Sequence, residues 1–251
     1  MNNLESIISN FSPISLAEMD NVKLMSRTDT KFAFPINKLP LLLNSISPYY
    51  NILTINGKTK QEYNSLYYDT DDRKFYLDHH NQRVNRNKIR FREYVGSNLT
   101  FLEVKTKNNK KRTIKKRIKV DSIANELSDQ HIEYIYNIIG EKINVHAKQR
   151  IHFNRFTFVH KKNKERLTID LDLEFKNKDN AGDLKHVIIA EVKQERMSRS
   201  SDFMRIAKEM SILPVRLSKY CISTLKLNPT MKHNRFKKKL LFINKLKRLS
   251  C

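Results

Sequence analysis

Charged and apolar residues alternate along several segments of this chain with the two-residue period of a β-strand. Arg86, Lys88, Arg90 and Arg92 share one parity, with Ile89 and Phe91 between them, and Lys115, Arg117 and Lys119 repeat the pattern. Between the two runs, Phe101, Glu103, Lys105 and Lys107 hold the same spacing. Successive strand side chains point to opposite faces, so each run lines one surface with charge. Cations at alternate positions of several strands predict a surface or tunnel that holds a polyanion. Arg166 to Glu174 is the cleanest alternation, setting Asp170, Asp172 and Glu174 opposite Leu167, Ile169, Leu171 and Leu173.

The same patterning predicts the remaining elements. Ser15 to Ser26 reads as a short helix with Leu16 and Met19 inward, Arg27 to Phe34 as a strand, and Lys38 to Ser45 as a leucine-rich helix ended by Ser47-Pro48. Tyr63 to Tyr68 is a strand, and Asp69-Thr70-Asp71-Asp72 opens a helix that carries Phe75, Tyr76 and His79. Strands follow near 84–94, 99–107 and 112–120, with a hairpin turn at Gly96-Ser97-Asn98. Asp121 to Gly140 has helical spacing, with Gly140 as its stop. Strands at 145–159, 166–175 and 185–195 precede a helix from Ser200 to Met210 and a last short helix after Ser218. These elements predict an α+β fold of strands with flanking helices, and if the sheet closes into a barrel its charged face is the interior. Residues 226–251 form a basic tail in which Lys237, Lys238, Lys239, Lys245 and Lys247 surround Leu240, Phe242, Ile243 and Leu246, the pattern of an amphipathic helix that lies on an acidic membrane or polyanion, or equally of a helix packed on the domain or a solvated terminus.

Charge sharpens this picture. The 251 residues carry a formal net charge of +23, which points to an anionic partner. Two cysteines give neither a disulfide framework nor a thiolate metal cluster, and the start of the chain has no secretory pattern. No run reaches the about 18 apolar residues of a membrane span. The expected location is cytoplasmic, with a peripheral position at the inner face of the membrane. No P-loop, Gly-x-Gly-x-x-Gly or Ser-His-Asp arrangement is present, and without a groove-reading motif no specific nucleic acid is expected.

The charged positions divide by chemistry. Arg27, Lys31, Lys88, Arg90, Arg92, Lys105, Lys115, Arg117, Arg216 and Lys219 form a basic set that suits a row of phosphates, with guanidinium forks and ammonium point charges. Glu103, Asp170, Asp172, Glu174, Glu191 and Glu195 form an acidic set of oxygen donors that suits Mg²⁺ or Mn²⁺. A tunnel lined by both signs makes sense when an anion and a metal fill it.

The ordered series Arg27-Thr-Asp29-Thr-Lys31-Phe, Tyr63-Asn-Ser65-Leu-Tyr-Tyr-Asp69-Thr, Lys88-Ile-Arg90-Phe-Arg92-Glu-Tyr, Phe101-Leu-Glu103-Val-Lys105, Glu191-Val-Lys193 and Arg216-Leu-Ser218-Lys219-Tyr220 resembles the VTC domain. That domain is the polyphosphate polymerase module of the triphosphate tunnel metalloenzyme, or CYTH-like, superfamily. The resemblance covers roughly residues 20–225 and implies an antiparallel β-barrel tunnel with flanking helices, spanning 1–225 as one catalytic domain, that binds ATP and a growing inorganic polyphosphate chain, with Mn²⁺ or Mg²⁺ as cofactor. It implies that Lys31, Arg90, Arg92, Lys105, Lys115, Arg117, Arg155 and Lys219 act in catalysis and that Arg27, Lys88, Lys193, Arg216 and Ser218 bind phosphate. Glu191 is the leading metal ligand, with Asp170, Asp172 and Glu103 beside it. Phe153 stands where the family more often has tyrosine, and Arg216 where lysine is common. Family members that export their product do so through attached membrane helices, so export here calls for a separate membrane partner. Two other functions fit the same residues: an inorganic or nucleoside triphosphatase, and a non-catalytic polyphosphate-binding module.

Overall fold

A computed structural model of the chain describes residues 2–20, 28–109, 113–195, 198 and 201–250. In chain order its strands are β1 (Pro13–Ile14), β2 (Thr28–Pro35), β3 (Tyr50–Leu53), β4 (Lys60–Asp69), β5 (Arg86–Tyr94), β6 (Leu99–Lys107), β7 (Thr113–Val120), β8 (His146–His160), β9 (Glu165–Lys176), β10 (Ala181–Asp183) and β11 (Val187–Gln194). The helices are α1 (Asn2–Ile8), α2 (Leu16–Asp20), α3 (Leu39–Ile46), α4 (Lys74–His80), α5 (Asp129–Ile139), α6 (Asp202–Glu209), α7 (Lys219–Leu227) and α8 (Lys237–Arg248).

All eleven strands join one sheet. Its main path runs β2-β11-β9-β8-β4-β5-β6-β7, antiparallel throughout, and the two-residue β1 pairs in parallel with β3. The sheet curls strongly. Lys105 on β6 lies within electrostatic range of Glu191 on β11 and Lys31 on β2. Those strands are five and six steps away along the path, which in a flat sheet would be roughly 24 and 29 Å. With β2 and β7 as its two edges the sheet is unclosed, and its shape is that of a barrel-like tunnel, as the alternating strands imply.

Period two decides what each face buries. Phe32, Phe34, Phe156, Phe158, Leu167, Ile169, Ala190 and Val192 leave the outer face and pack under α1, α3 and α6. Leu66, Ile89, Phe91, Leu102 and Val104 do the same under α5. One end of the inner face is filled by α7, α8 and the turn before α8, whose Tyr220, Cys221, Leu225, Phe236, Ile243 and Leu246 pack on Tyr63, Tyr67, Ile151 and Phe153. The basic tail is thus a packed amphipathic helix: Ile243 and Leu246 are buried while Lys237, Lys238, Lys245 and Lys247 face solvent. Among the described residues no helix is long and apolar enough to cross a membrane.

The structure departs from the sequence-based expectations at three places. The helix expected over 121–140 begins only at Asp129, where Ser128 caps it by accepting the His131 amide; Gly140 ends it at φ 85°. Leu16, expected inside, is exposed, and the helix expected over 15–26 is described only as far as Asp20. Above all, the alternation through Arg166–Glu174 breaks at a bulge opposite Phe153, where Asp172 takes a left-handed φ of 54°. An extra residue in one strand reverses the parity beyond it. Asp170 therefore stays on the inner face, Leu173 and Phe175 join the core at its end, and Glu174 pairs outside with Lys185 at 2.7 Å.

Candidate active site: a charged groove inside the curled sheet

The inner face is built row by row through strand register. Arg90 stands between Tyr67 and Glu103, Glu103 between Arg90 and Arg117, and Arg92 between Ser65 and Phe101. Lys88, Lys105 and Lys115 form the next row, and Arg155 pairs with Asp170 and Lys31 with Glu191 across their own strands. Directly opposed like charges destabilise a sheet, so a row of three lysines is a cost to the fold that a bound anion would relieve.

Three carboxylates hold these cations in place. Glu103 Oε2 accepts from Arg90 Nε at 2.7 Å and Nη2 at 2.6 Å, and Oε1 faces Lys115 Nζ. Asp170 accepts from Arg155 Nε at 2.5 Å and Nη2 at 2.8 Å and also takes Lys219 Nζ. Glu191 lies between Lys31 Nζ and Lys193 Nζ, the latter at 2.6 Å. Burial alone would raise the pKa of each acid, but the adjoining cations overcome it and hold all three below the usual carboxylate range. Each is therefore ionised.

Aromatic rings form the floor. Arg92 lies 5.3 Å from the Tyr63 centroid and 5.7 Å from that of Phe153, and Arg155 lies 5.0 and 5.3 Å from the same two rings. Lys219 Nζ is 4.7 Å from Phe153, and Arg117 stacks at 4.3 Å on Phe101. Such contacts favour the cation without neutralising it. Arg92, only 8% exposed, donates from Nε to Ser65 Oγ at 3.2 Å. Burial, with Arg90 next in weight, lowers its pKa.

Residues 214–219 cross from the sheet edge over the groove. Val215 donates its amide to Lys31 O at 2.7 Å, Ser218 Oγ accepts from Lys88 Nζ at 3.0 Å, and Lys219 reaches Asp170. Arg216 is exposed on this segment. Ser218 also caps α7, accepting the Cys221 amide. The start of α7 is fixed from below: Tyr220 donates its hydroxyl to Asp69, whose other contacts cap α4 through the amides of Phe75 and Tyr76 at 2.8 and 3.0 Å.

The profile of the VTC domain matches residues 26–228. This chain belongs to the VTC domain family. No curated protein matches the sequence. Among solved structures, the VTC chain is similar to HpAC1 from Hippeastrum, described as an adenylyl cyclase candidate with a dominant triphosphatase activity, at 15% identity, 81% coverage of this chain, 97% of the other and a TM-score of 0.49. It is also similar to a Pyrococcus horikoshii OT3 protein at 13% identity, 79% and 99% coverage and a TM-score of 0.42. Family membership associates the chain with polyphosphate and triphosphate chemistry.

The VTC-domain residues expected from sequence divide on this geometry. Lys31, Lys88, Arg90, Arg92, Glu103, Lys105, Lys115, Arg117, Arg155, Asp170, Glu191, Lys193, Ser218 and Lys219 share the groove, and Arg27 lies outside the described residues. Asp172 is not with them. The bulge turns it away, and its Oδ2 accepts from Asn154 Nδ2 at 2.9 Å, outside the groove. Among the described residues no three His, Cys, Asp or Glu side chains converge as a ready-made metal cluster. Mg²⁺ and Mn²⁺ commonly take one or two protein carboxylates and fill the rest of their coordination from phosphates and water. Glu191 fits that donor role best, its side chain 17% exposed against 2% for Glu103 and 4% for Asp170. Asp172→Asn should leave turnover unchanged, since asparagine tolerates left-handed φ and keeps the bond to Asn154; a steady-state assay beside Asp170→Asn, which should be inactive, checks the division.

The sequence reading gave no site role to Ser65, Tyr67, Asp69 or Tyr220. Tyr67 accepts from Arg90 Nη1 at 2.6 Å and stacks on Tyr220 with centroids 5.1 Å apart. Burial would raise its phenol, yet Arg90, Arg92 and Lys88 outweigh it and lower the pKa. The signal was present: Tyr63, Ser65 and Tyr67 share one parity of β4, the strand beside Arg90 and Arg92.

Proposed function

We propose that this VTC domain is an ATP-dependent polyphosphate polymerase. The observation that carries the reading is the groove itself, in which cations from six strands and α7 outnumber the ionised carboxylates. Phosphoryl transfer asks for this: positioning and charge neutralisation rather than covalent catalysis by a side chain. The terminal oxygen of a polyphosphate chain attacks the γ-phosphorus of ATP, a new P–O bond forms, and the bond to the β-bridging oxygen breaks with its electron pair leaving on ADP. Arg92 is suited to the equatorial oxygens through its planar fork, Arg90 and Arg155 add charge from forks seated on Glu103 and Asp170, and Lys31, Lys105, Lys115 and Lys219 supply point charges along the chain. Glu191, with Asp170 beside it, would hold Mg²⁺ or Mn²⁺, which supplies neutralisation of the β- and γ-oxygens when bound. ATP labelled at the γ-phosphate, incubated with Mn²⁺, should give long labelled chains on a gel. Orthophosphate as the only product would instead establish a triphosphatase, and metal-independent binding without turnover a binding module.

The lysines give this reading a pH dependence. Enclosure by the groove walls, then Lys88 and Arg90, push Lys105 down to about 8. Burial does the same for Lys115, which Glu103 only partly offsets, again to about 8. A depressed lysine loses its charge as pH rises through its own pKa, and the anion loses that contact. Affinity for tripolyphosphate in calorimetric titrations should therefore fall as pH rises through about 8, well below the range of exposed lysines, with proton uptake on binding near that pH. A flat affinity up to about pH 9.5, roughly one unit below the free lysine value, would contradict the role of these two residues.

A further inference from the structure

A second group of cations collects where α4, β5, β6 and α8 meet. Arg86 and Lys107 are register partners on adjacent strands, one row beyond Lys88 and Lys105. The loop before α8 brings another cation to this corner. Phe236 packs against His79, His80 and Tyr76 of α4 with ring centroids 6.0, 5.5 and 6.1 Å away, and Lys239 Nζ sits 4.9 Å from the Phe236 centroid. Arg235 fastens the same joint, its Nη1 donating to Asn81 O at 3.0 Å and its amide to His80 Nε2 at 3.3 Å. Arg86 donates from Nη1 to the Arg83 carbonyl at 3.3 Å, a contact that leaves its charge unneutralised. The field of the corner shows in His79: burial, then Lys88, Arg86, Lys239 and Lys107, lower its pKa to about 2 and keep the ring neutral.

We propose that this corner is a second anion subsite, in which Arg86, Lys107 and Lys239 hold a stretch of linear inorganic polyphosphate beyond the end of the groove. The inference rests on the polyphosphate reading above and adds a length-sensing contact to it. Arg86 stands four residues from Arg90 on one strand, roughly 13 Å along it, farther than the three phosphorus centres of a triphosphate extend. A triphosphate seated on Arg90 and Arg92 leaves the corner empty, and a long chain fills it. Lys239 belongs to α8, which lies beyond the residues matched by the VTC profile, 26–228. The subsite is thus partly a property of this chain's own last helix.

The test compares wild type with the Arg86→Gln/Lys239→Gln double variant by calorimetric titration, without metal, at several salt concentrations. The probes are tripolyphosphate and long-chain polyphosphate. Tripolyphosphate affinity should be unchanged. Long-chain affinity should fall about tenfold and its salt slope become shallower by roughly one to two. The charge-keeping Arg86→Lys/Lys239→Arg variant should restore both, and matching thermal melts establish that the variants fold. An unchanged long-chain affinity, or an equal loss for both probes, overturns the subsite while leaving the groove assignment standing. Failure of the wild type to bind either probe overturns both.

Discussion

Arg92→Met is expected to lower triphosphate turnover by about 10²–10³-fold, the range for removing one preorganised donor from developing charge, while leaving the fold at least as stable. The two effects have opposite signs for one reason. Arg92 is buried, held by Ser65 Oγ and stacked over Tyr63 and Phe153, and Arg90 works against its charge. Replacing a buried charge with an apolar side chain of similar volume is often neutral or stabilising. A structural arginine would behave the other way, with stability lost and turnover kept. Steady-state kinetics beside a urea melt separates the cases, and normal turnover in Arg92→Met would remove the groove as the active site.

Glu191→Gln should abolish metal-dependent turnover, by on the order of 10² or more, and at the same time tighten metal-free binding of tripolyphosphate. Glu191 is an ionised carboxylate set between Lys31 and Lys193. Without a metal it repels the anion and occupies two lysines; the amide releases both. With a metal it is the most accessible of the three groove carboxylates, so its loss removes the protein's hold on the ion. Calorimetry with and without Mn²⁺ reads the two signs separately. A variant that binds tripolyphosphate more weakly in the absence of metal would show that Glu191 serves the anion only by ordering Lys31 and Lys193.

Much of this molecule was legible in its sequence because period two survives folding wherever a strand is regular. The parity of Lys88, Arg90 and Arg92 and that of Glu103 and Lys105 passed unchanged into the inner face, since each strand places its neighbours by register alone. Legibility ended where regularity did. One residue in left-handed conformation at Asp172 reversed the parity of β9 and carried two carboxylates out of the groove. The helix through 121–140 was overcounted because helical spacing continued upstream of Ser128, while the cap that starts it depends on a local hydrogen bond. Tyr67 and Tyr220 are core residues; their contacts with Arg90 and Asp69 are invisible to hydropathy because a phenol is apolar along most of its length and polar at one atom.

By itself the sequence determined the strand faces, the excess of cations over acids and the family, because these follow from residue order and need no long-range geometry. Only the tertiary structure decided which charges meet. The curl brought Lys105 within electrostatic range of Glu191, residues 214–219 carried Ser218 to Lys88 and Lys219 to Asp170, and Phe236 docked the last helix on α4 with Lys239 in the field of Arg86. Those pairings join residues far apart in sequence. They arise because register fixes only neighbouring strands, whereas the twist and curl of the sheet decide which distant strands face one another.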